Sequence, residues 1–304
     1  PHSIMLFQPD HGVLVSADAL WENGFGVVFP EIEGEIQAGH RMKAAVLGSP
    51  IEHSKSPLLH QAAYAALGLP WVYERHEVQA GELPGFMRAH AGEYKGLSLT
   101  MPLKDEAFRV AETKDASSYA TAACNTLVFD GQWHGFNTDV IGFIEALRYH
   151  GMQTAASVCI IGTGATARSA AVAMLQDGVR EFHVVGRRAE ALASFGSWFA
   201  SIGGTATMHA WDVAPLDVEL TISTTTSGAT DDRALPPHPR TLFDVIYAPW
   251  PTPYARRWRD ANGPVLGGVD LLIHQAAEQV LLMTGAGRHE RSRIVEAMYA
   301  AARD

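Results

Sequence analysis

One stretch of sequence points to the fold: Ser157-Val-Cys-Ile-Ile161, followed at once by Gly162-Thr-Gly-Ala-Thr-Ala167. The apolar run predicts a fully buried strand, and a helix is predicted from Ala165 onward. In the G-x-G-x-x-A spacing, the first Gly permits a tight turn and the second lets the backbone approach a pyrophosphate. Such a turn can also simply join a strand to a helix. The flanking elements favour the first interpretation, a dinucleotide-binding βα unit.

The residues after the next predicted strand indicate which dinucleotide is bound. That strand covers residues 181–185 and leads into Gly186-Arg187-Arg188. Proteins that bind NAD usually place an Asp or Glu at this tip, where it bonds the ribose 2′-hydroxyl. Two guanidinium groups stand here instead, and they suit a 2′-phosphate. We therefore expect NADP as the cofactor, the alternative being two solvated surface arginines.

Short apolar runs alternate with helical stretches along the rest of the chain, which predicts an α/β fold with parallel sheets. Residues 139–267 are predicted to form a Rossmann NADP-binding domain. Residues 43–138 and 268–304 are predicted to form a substrate-binding α/β domain, to which the C-terminal helices return. Residues 1–42 are predicted to be an N-terminal extension of uncertain role, with Met42 as the natural start; the alternative is a short added hairpin or arm. A hinge is expected at Asn137–Val140.

Composition excludes several function classes. The 304 residues are 47% apolar and 18% charged, with a formal net charge of -10, so we expect no nucleic-acid partner. The sequence has no run of about 18 apolar residues, so no membrane span is predicted. The two cysteines and scattered histidines predict neither a disulfide framework nor a metal site. We expect a cytoplasmic monomer or homodimer that binds a small molecule.

Polar residues cluster where the strands of the first unit end, the edge at which open α/β sheets bind ligands. Ser54 and Ser56 precede a predicted helix and could grip a carboxylate, although Ser56 could also cap that helix. Lys104 stands at a helix start, where a cation opposes the helix dipole, so a purely structural role is disfavoured. Asp139 could act chemically or merely cap its own helix.

Several of these segments, taken in order, resemble the shikimate dehydrogenase family. The matching segments span nearly all of residues 43–280: His53-Ser-Lys-Ser-Pro57, Thr100-x-Pro102-x-Lys104, Asn125-Thr-Leu127, Asn137-Thr-Asp139, Gly162–Ala167, Asp244-x-x-Tyr247 and Gln275-Ala-Ala277.

The resemblance implies roles for individual residues. Lys104 and Asp139 are implied as the catalytic pair. The implied substrate contacts are Ser54, Ser56, Ser98, Thr100, Asn125, Tyr247 and Gln275. The implied cofactor contacts are Gly162, Thr163, Gly164, Ala165, Thr166, Gly186, Arg187, Arg188, Thr224 and Gly268. The implied reaction is reversible NADPH-dependent reduction of 3-dehydroshikimate to shikimate in aromatic amino-acid (chorismate) biosynthesis, and no metal is implied.

Three departures and three rival functions accompany this resemblance. Where this chain has Ser98 the family usually has Asn, and where it has Ala165 the family often has Gly. At Asp270 the family often has an uncharged residue, and the carboxylate here would disfavour an anionic ligand unless it points away or is paired.

The rival functions are a quinate/shikimate dehydrogenase, a non-catalytic metabolite sensor, and a folate-type NADP dehydrogenase. Lys104 and Asp139 together argue against a sensor, which needs no proton donor, and the paired serines fit a small polyol better than a folate.

Overall fold

The computed structural model describes residues 5–8, 13–16 and 42–303. Residues up to Arg41 form a unit of their own, in which β1 (Met5–Gln8) pairs antiparallel with β2 (Val13–Ser16). Apart from Met42, the rest of the predicted N-terminal extension lies outside the described residues.

The first large sheet has the order β4-β3-β5-β7-β8-β6. Its strands are β3 (Lys43–Gly48), β4 (Val72–Glu77), β5 (Tyr94–Leu99), β6 (Thr113–Lys114), β7 (Thr126–Phe129) and β8 (Trp133–Phe136). The predicted parallel pairing holds for β3 with β4 and β5. In the predicted hairpin β7–β8, β7 pairs antiparallel with β5 and β8 pairs antiparallel with β7, which makes the sheet mixed. The hairpin loop has one residue more than the two-residue turn expected at Asp130-Gly131, because β8 begins only at Trp133.

The helices around this sheet are α1 (Ser56–Leu67), α2 (Leu83–Ala89), α3 (Lys104–Val110) and α4 (Ala116–Thr121). Pro57 lies in the first turn of α1, and Gly68 ends the helix in the left-handed conformation with φ 69°. The prediction that Ser56 caps α1 is wrong. Lys55 occupies the N-cap, and Ser54 Oγ accepts from the Ser56 N–H at 3.3 Å.

The second large sheet is parallel throughout and has the order β11-β10-β9-β12-β13-β14. Its strands are β9 (Ser157–Ile161), β10 (Glu181–Gly186), β11 (Thr207–Ala210), β12 (Leu220–Ser223), β13 (Thr241–Asp244) and β14 (Val265–Leu266). This order is the doubly wound Rossmann order. The chain changes winding direction between β9 and β12, and the ends of those strands border the crevice where such sheets bind dinucleotides.

The remaining helices are α5 (Thr138–Tyr149), α6 (Ala165–Asp177), α7 (Ala189–Ser201), α8 (Pro253–Asp260), α9 (Gly268–Thr284) and α10 (Arg291–Arg303). As predicted, α9 and α10 return to the first sheet and pack on α1. Ile273, Val280 and Ile294 share a buried apolar cluster with Leu59 and Tyr73. α5 packs against both α6 and α9, so it joins the two sheets. The predicted α/β fold class, with a Rossmann sheet and an N-terminal sheet, is confirmed.

Within the described ranges, every helix is too short or too polar to cross a lipid bilayer.

Candidate active site

Lys104 and Asp139 meet although they lie 35 residues apart in the chain. Lys104 begins α3, and Asp139 lies in the first turn of α5. The Lys104 Nζ donates to Asp139 Oδ2 at 2.5 Å, and the two side chains are 15% and 6% exposed. An ammonium and a carboxylate thus stand together in a largely desolvated place, where charge interactions are stronger than in bulk water.

Two side chains, Lys104 and Asn125, hold the carboxylate of Asp139 in place. Asn125 Nδ2 donates to Asp139 Oδ1 at 2.9 Å, and the Thr138 backbone N–H donates to Asn125 Oδ1 at 2.8 Å. The alternative that Asp139 merely caps its helix is wrong. Asn137 caps α5 instead, because its Oδ1 accepts from the Asp139 N–H at 3.2 Å. Both carboxylate oxygens of Asp139 therefore face other side chains rather than the helix backbone.

A cavity of about 270 Å³, the inner cleft, lies between β5, α1 and α9 and opens onto this ion pair. All residues predicted to contact substrate line it, together with both members of the pair: Ser54, Ser56, Ser98, Thr100, Lys104, Asn125, Asp139, Tyr247 and Gln275. Burial raises the pKa of Tyr247, so its hydroxyl stays protonated at neutral pH. Gln275 Nε2 donates to Leu272 O at 2.9 Å, which directs its Oε1 toward Asn125.

A second cavity of about 590 Å³, the outer cleft, lies at the ends of β9, β10 and β12. Nearly all residues predicted to contact the cofactor line it: Gly162, Thr163, Gly164, Ala165, Thr166, Gly186, Arg187, Arg188 and Thr224. Gly268 lines the inner cleft instead. Thr100, Lys104 and Thr166 line both clefts, so the two cavities meet beside the ammonium of Lys104.

The glycines at the start of the outer cleft fit a bound dinucleotide. Gly162 has φ 123°, and a Cβ there would lie 2.3 Å from Thr224 Oγ1. At Gly164 a Cβ would meet no protein atom within 4 Å and would project into open space. Gly162 therefore satisfies the fold, whereas Gly164 leaves free the space that a pyrophosphate needs at the N-terminus of α6.

Trp211, which the sequence did not single out, organises the arginine side of the outer cleft. The Arg187 guanidinium lies 5.8 Å from the centre of a Trp211 ring, and that of Arg233 lies 5.4 Å from it. Arg233 also donates to the Trp211 carbonyl oxygen at 2.8 Å. Cation–π contact of this kind restrains a long side chain that is otherwise free to rotate. Arg187 is thus held beside the cleft, and Arg188 occupies the N-cap of α7.

Asp270, one of the three departures, points away from the inner cleft. Its Oδ2 accepts from the Gly267 N–H at 2.9 Å and helps to cap α9. Its Oδ1 accepts from Tyr299 OH at 2.9 Å and contacts His150 Nε2 at 2.8 Å. The carboxylate is therefore paired, and it does not disfavour an anionic ligand in the inner cleft.

Ser98, another departure, belongs to a buried group of side chains that the sequence did not predict. Tyr73 and Gln279 both contact its hydroxyl. A signal for Gln279 was present, because it lies four residues after Gln275 and so on the same face of α9. Tyr73 carried no signal, since an aromatic residue in a strand is the ordinary composition of a core.

Residues 46–127 match the family model described as the shikimate dehydrogenase substrate binding domain. Shikimate dehydrogenase (NADP(+)) of Methanothrix thermoacetophila is 36% identical over 253 residues, which cover 79% of this chain and 91% of the relative. The corresponding enzyme of Methanocella arvoryzae is 32% identical over 250 residues, with 92% of the relative covered. The chain belongs to the shikimate dehydrogenase family.

Solved structures agree with this assignment. The shikimate dehydrogenase of Mycobacterium tuberculosis has 36% sequence identity and a TM-score of 0.76, covering 85% of this chain and 99% of that one. The enzyme of Thermus thermophilus, solved in complex with NADP(H) and shikimate, has 28% identity and a TM-score of 0.74, covering 86% and 99%. At the level of the family, these relatives confirm the predicted NADP cofactor and the predicted oxidoreductase class that acts on a CH–OH group.

Proposed function

We propose that this chain catalyses the reversible NADPH-dependent reduction of 3-dehydroshikimate to shikimate, as a step of chorismate biosynthesis. One observation carries the proposal: the Lys104–Asp139 pair, joined at 2.5 Å, stands where the inner and outer clefts meet. The matches to shikimate dehydrogenases support the same substrate. The proposed domains are residues 43–138 with 268–304 for substrate and residues 139–267 for the cofactor.

The inner cleft suits a small ring acid that carries hydroxyl groups. Ser54 and Ser56 lie at the N-terminal end of α1, where hydroxyl donors and the helix dipole favour a carboxylate. Thr100, Asn125 and Gln275 offer hydroxyl and amide groups around the rest of the cavity. We assign the carboxylate of the substrate to the serines and its ring to the space between Ser98 and Lys104.

Lys104 acts as the proton donor when the ring ketone is reduced. Reduction leaves negative charge on the former carbonyl oxygen, and the Lys104 ammonium donates a proton to that oxygen. Asp139 holds the ammonium in place through Oδ2 and stabilises its charge. In the reverse direction Lys104, as the amine, takes the proton from the alcohol. Positioned acid–base groups of this kind contribute about 10²–10⁴-fold in rate.

The outer cleft would hold NADPH, which supplies the hydride when bound. Residues Gly162 to Thr166 would receive the pyrophosphate at the start of α6. Arg187 and Arg188 would bind the 2′-phosphate, and their charge favours NADP over NAD. Thr166, which lines both clefts, would border the nicotinamide end.

A substrate panel tests the proposed function. Shikimate and quinate are oxidised, and their dehydro forms reduced, each with NADP(H) and NAD(H), and kcat/KM is measured by nicotinamide absorbance. We expect the highest kcat/KM for shikimate and 3-dehydroshikimate with NADP(H). Preferred turnover of quinate, preferred use of NAD(H), or binding of shikimate without turnover would each contradict the proposal.

A further inference from the structure

A series of buried hydrogen bonds runs beneath the inner cleft and includes three residues that the proposed mechanism does not use, Tyr73, Thr126 and Gln279. Tyr73 OH donates to Ser98 Oγ at 2.6 Å, and Ser98 Oγ donates to Gln279 Oε1 at 2.9 Å. Gln279 Nε2 then donates to Thr126 Oγ1 at 2.9 Å. Ser98, Thr126 and Gln279 are each at most 4% exposed, yet Ser98 and Gln279 still reach the wall of the inner cleft.

Backbone atoms fix the direction of every donor in this series. Gln279 Nε2 lies 3.2 Å from the carbonyl oxygen of Asn125, which can only accept. The amide nitrogen must therefore face Asn125, and Gln279 Oε1 must face Ser98. Because that oxygen cannot donate, the single proton of the Ser98 hydroxyl is directed to Gln279. Tyr73 is then the donor to Ser98, and burial raises its pKa well above the ordinary value, so that the proton stays on it.

The other end of the series is fixed in the same way. The Thr138 backbone N–H donates to Asn125 Oδ1 at 2.8 Å, so that atom is an acceptor. Thr126 Oγ1 donates to the same oxygen at 2.9 Å, and Asn125 Nδ2 donates to Asp139 Oδ1 at 2.9 Å. Donors thus point one way from Tyr73 to Asp139, and no member of the series can reverse alone without placing two donors or two acceptors face to face.

We propose that this series of hydrogen bonds commits Ser98 to act only as an acceptor in the inner cleft, which makes Ser98 a specificity-determining residue. Its proton is used by Gln279 and one lone pair by Tyr73, so, among the contacts of the described residues, one lone pair remains for a ligand. A substrate hydroxyl can donate to it, whereas a carbonyl or carboxylate oxygen cannot. Tyr73 and Gln279 are positioning residues, which act through Ser98.

The inference rests on the proposed function and adds to it the way in which the ring is oriented. Lys104, as an ammonium, presents only donors, and Ser98 presents only an acceptor. A ring with one ketone and several hydroxyls is therefore bound with the ketone oxygen toward Lys104 and a hydroxyl toward Ser98. The opposite placement would set two acceptors together at Ser98 and leave a buried polar group unpaired.

Shikimate analogues that lack one non-reacting ring hydroxyl provide the first test. Oxidation of each deoxy analogue is compared with that of shikimate for the wild type and Ser98→Ala. Removal of the hydroxyl that contacts Ser98 should lower kcat/KM about 10- to 100-fold in the wild type, because a buried acceptor loses its donor. The same removal should cost Ser98→Ala less than about 3-fold. Equal losses in both proteins for every analogue would overturn the proposal.

The second test asks whether the Ser98 hydroxyl donates its proton to Gln279. Gln279→Leu frees the Ser98 hydroxyl to donate. A competitive inhibitor with a carbonyl in place of the identified hydroxyl should then bind at least about 5-fold more tightly, relative to shikimate, than it does to the wild type. An unchanged ratio of inhibitor to shikimate affinity would overturn the claim that Gln279 uses the proton.

Two neighbouring tyrosines supply a matched pair that does not depend on Gln279. Tyr73→Phe removes the donor to Ser98 and should raise KM for shikimate about 5-fold, with kcat within 2-fold of the wild type. Tyr64→Phe removes a buried hydroxyl that has no hydrogen-bond partner among the described residues and should change neither constant. Equal effects of the two substitutions would overturn the role of Tyr73. Wild-type turnover of shikimate, measured first, separates failure of this inference from failure of the proposed function.

Discussion

At the scale of single residues, two guanidinium groups replace the carboxylate that an NAD-binding strand would carry at the tip of β10. Arg187 lies over a Trp211 ring and Arg188 is the N-cap of α7, so both are held at the edge of the outer cleft. Replacing both by alanine should raise KM for NADPH by at least about 30-fold, because charge-assisted contacts to the 2′-phosphate are lost. KM for NADH, which has no such phosphate, should change less than about 3-fold.

Initial rates with each cofactor, at saturating 3-dehydroshikimate, measure this selectivity. Arg256→Ala, a substitution outside both clefts, serves as the control. Losses of equal size for NADPH and NADH in the double variant would contradict the assignment of a 2′-phosphate site.

A buried histidine predicts how stability depends on pH. His60 is fully buried against Tyr73, and burial lowers its pKa from 6.5 to about 4. Between these values the unfolded chain binds a proton that the folded chain does not, so stability rises with pH across this range. Acidification from about pH 6.5 to pH 4 should therefore remove about 3 kcal/mol through His60.

Urea unfolding between pH 4 and pH 7 measures this dependence. His60→Phe, which keeps an aromatic ring against Tyr73, should unfold with a shallower pH dependence than the wild type. Some dependence should remain, because burial also lowers the pKa of His274 to about 4. Parallel curves for the two proteins would show that His60 does not carry the effect.

The residues that could be predicted at this scale are those whose chemistry is unusual for their place in the sequence. Lys104 at a helix start and Arg187 at a strand tip conflict with the ordinary structural preferences of those positions. Tyr73, Trp211 and Gln279 conflict with none, because an aromatic strand residue and a helical glutamine are compatible with ordinary packing. Their roles depend on neighbours distant in the chain, and only the folded structure shows those neighbours.

At the scale of elements, α5 carries Asp139 into the site, and Asn137 determines where α5 begins. Asn137 Oδ1 accepts from the Asp139 N–H, and its Nδ2 donates to Thr121 Oγ1 at 2.8 Å and to Ser169 Oγ at 3.1 Å. One buried amide thus caps α5 and joins α4, beside the first large sheet, to α6, beside the second.

Asn137→Ala should lower the free energy of unfolding by about 1–3 kcal/mol and also lower kcat, because the position of Asp139 is released. Thr252→Ala is the matched control. Thr252 caps α8 by accepting from the Ala255 N–H at 3.0 Å, and it lines neither cleft. It should lose stability but keep kcat. If both variants lost stability and kept kcat, Asn137 would be a structural cap only.

The elements that were predicted are those with a strong apolar period or a clear stop signal. Strands β9 and β12 are buried at every position, and α1 ends at a left-handed Gly68. The shortest strands were not predicted, since β6 and β14 have two residues each. Elements of that length have too few residues for a period to appear, and they form because the surrounding sheet or core offers partners.

At the scale of the whole molecule, two sheets of different topology direct their loops into one pair of adjoining clefts. The G-x-G-x-x-A loop after β9 predicts a Rossmann sheet, so the general position of the cofactor cleft could be predicted. The contacts between the helices of the first large sheet and those of the second could not be predicted. Trp198 Nε1 donates to Ala120 O at 2.9 Å, and Arg168 Nε donates to Thr121 O at 2.6 Å. Both acceptors are backbone atoms, which carry no sequence signal.

We propose that Lys104 supplies the proton at the junction of the two clefts, and kcat and KM of Lys104→Ala test this role. Lys43→Ala is the control, because Lys43 also pairs with a carboxylate, Glu93 at 2.9 Å, but lies outside both clefts. We predict that kcat for 3-dehydroshikimate falls by at least about 10²-fold in Lys104→Ala, with KM within about 3-fold of the wild type and with both constants unchanged in Lys43→Ala. A Lys104→Ala enzyme that kept kcat and only had a raised KM would show that Lys104 binds the substrate without donating the proton, and would contradict this role.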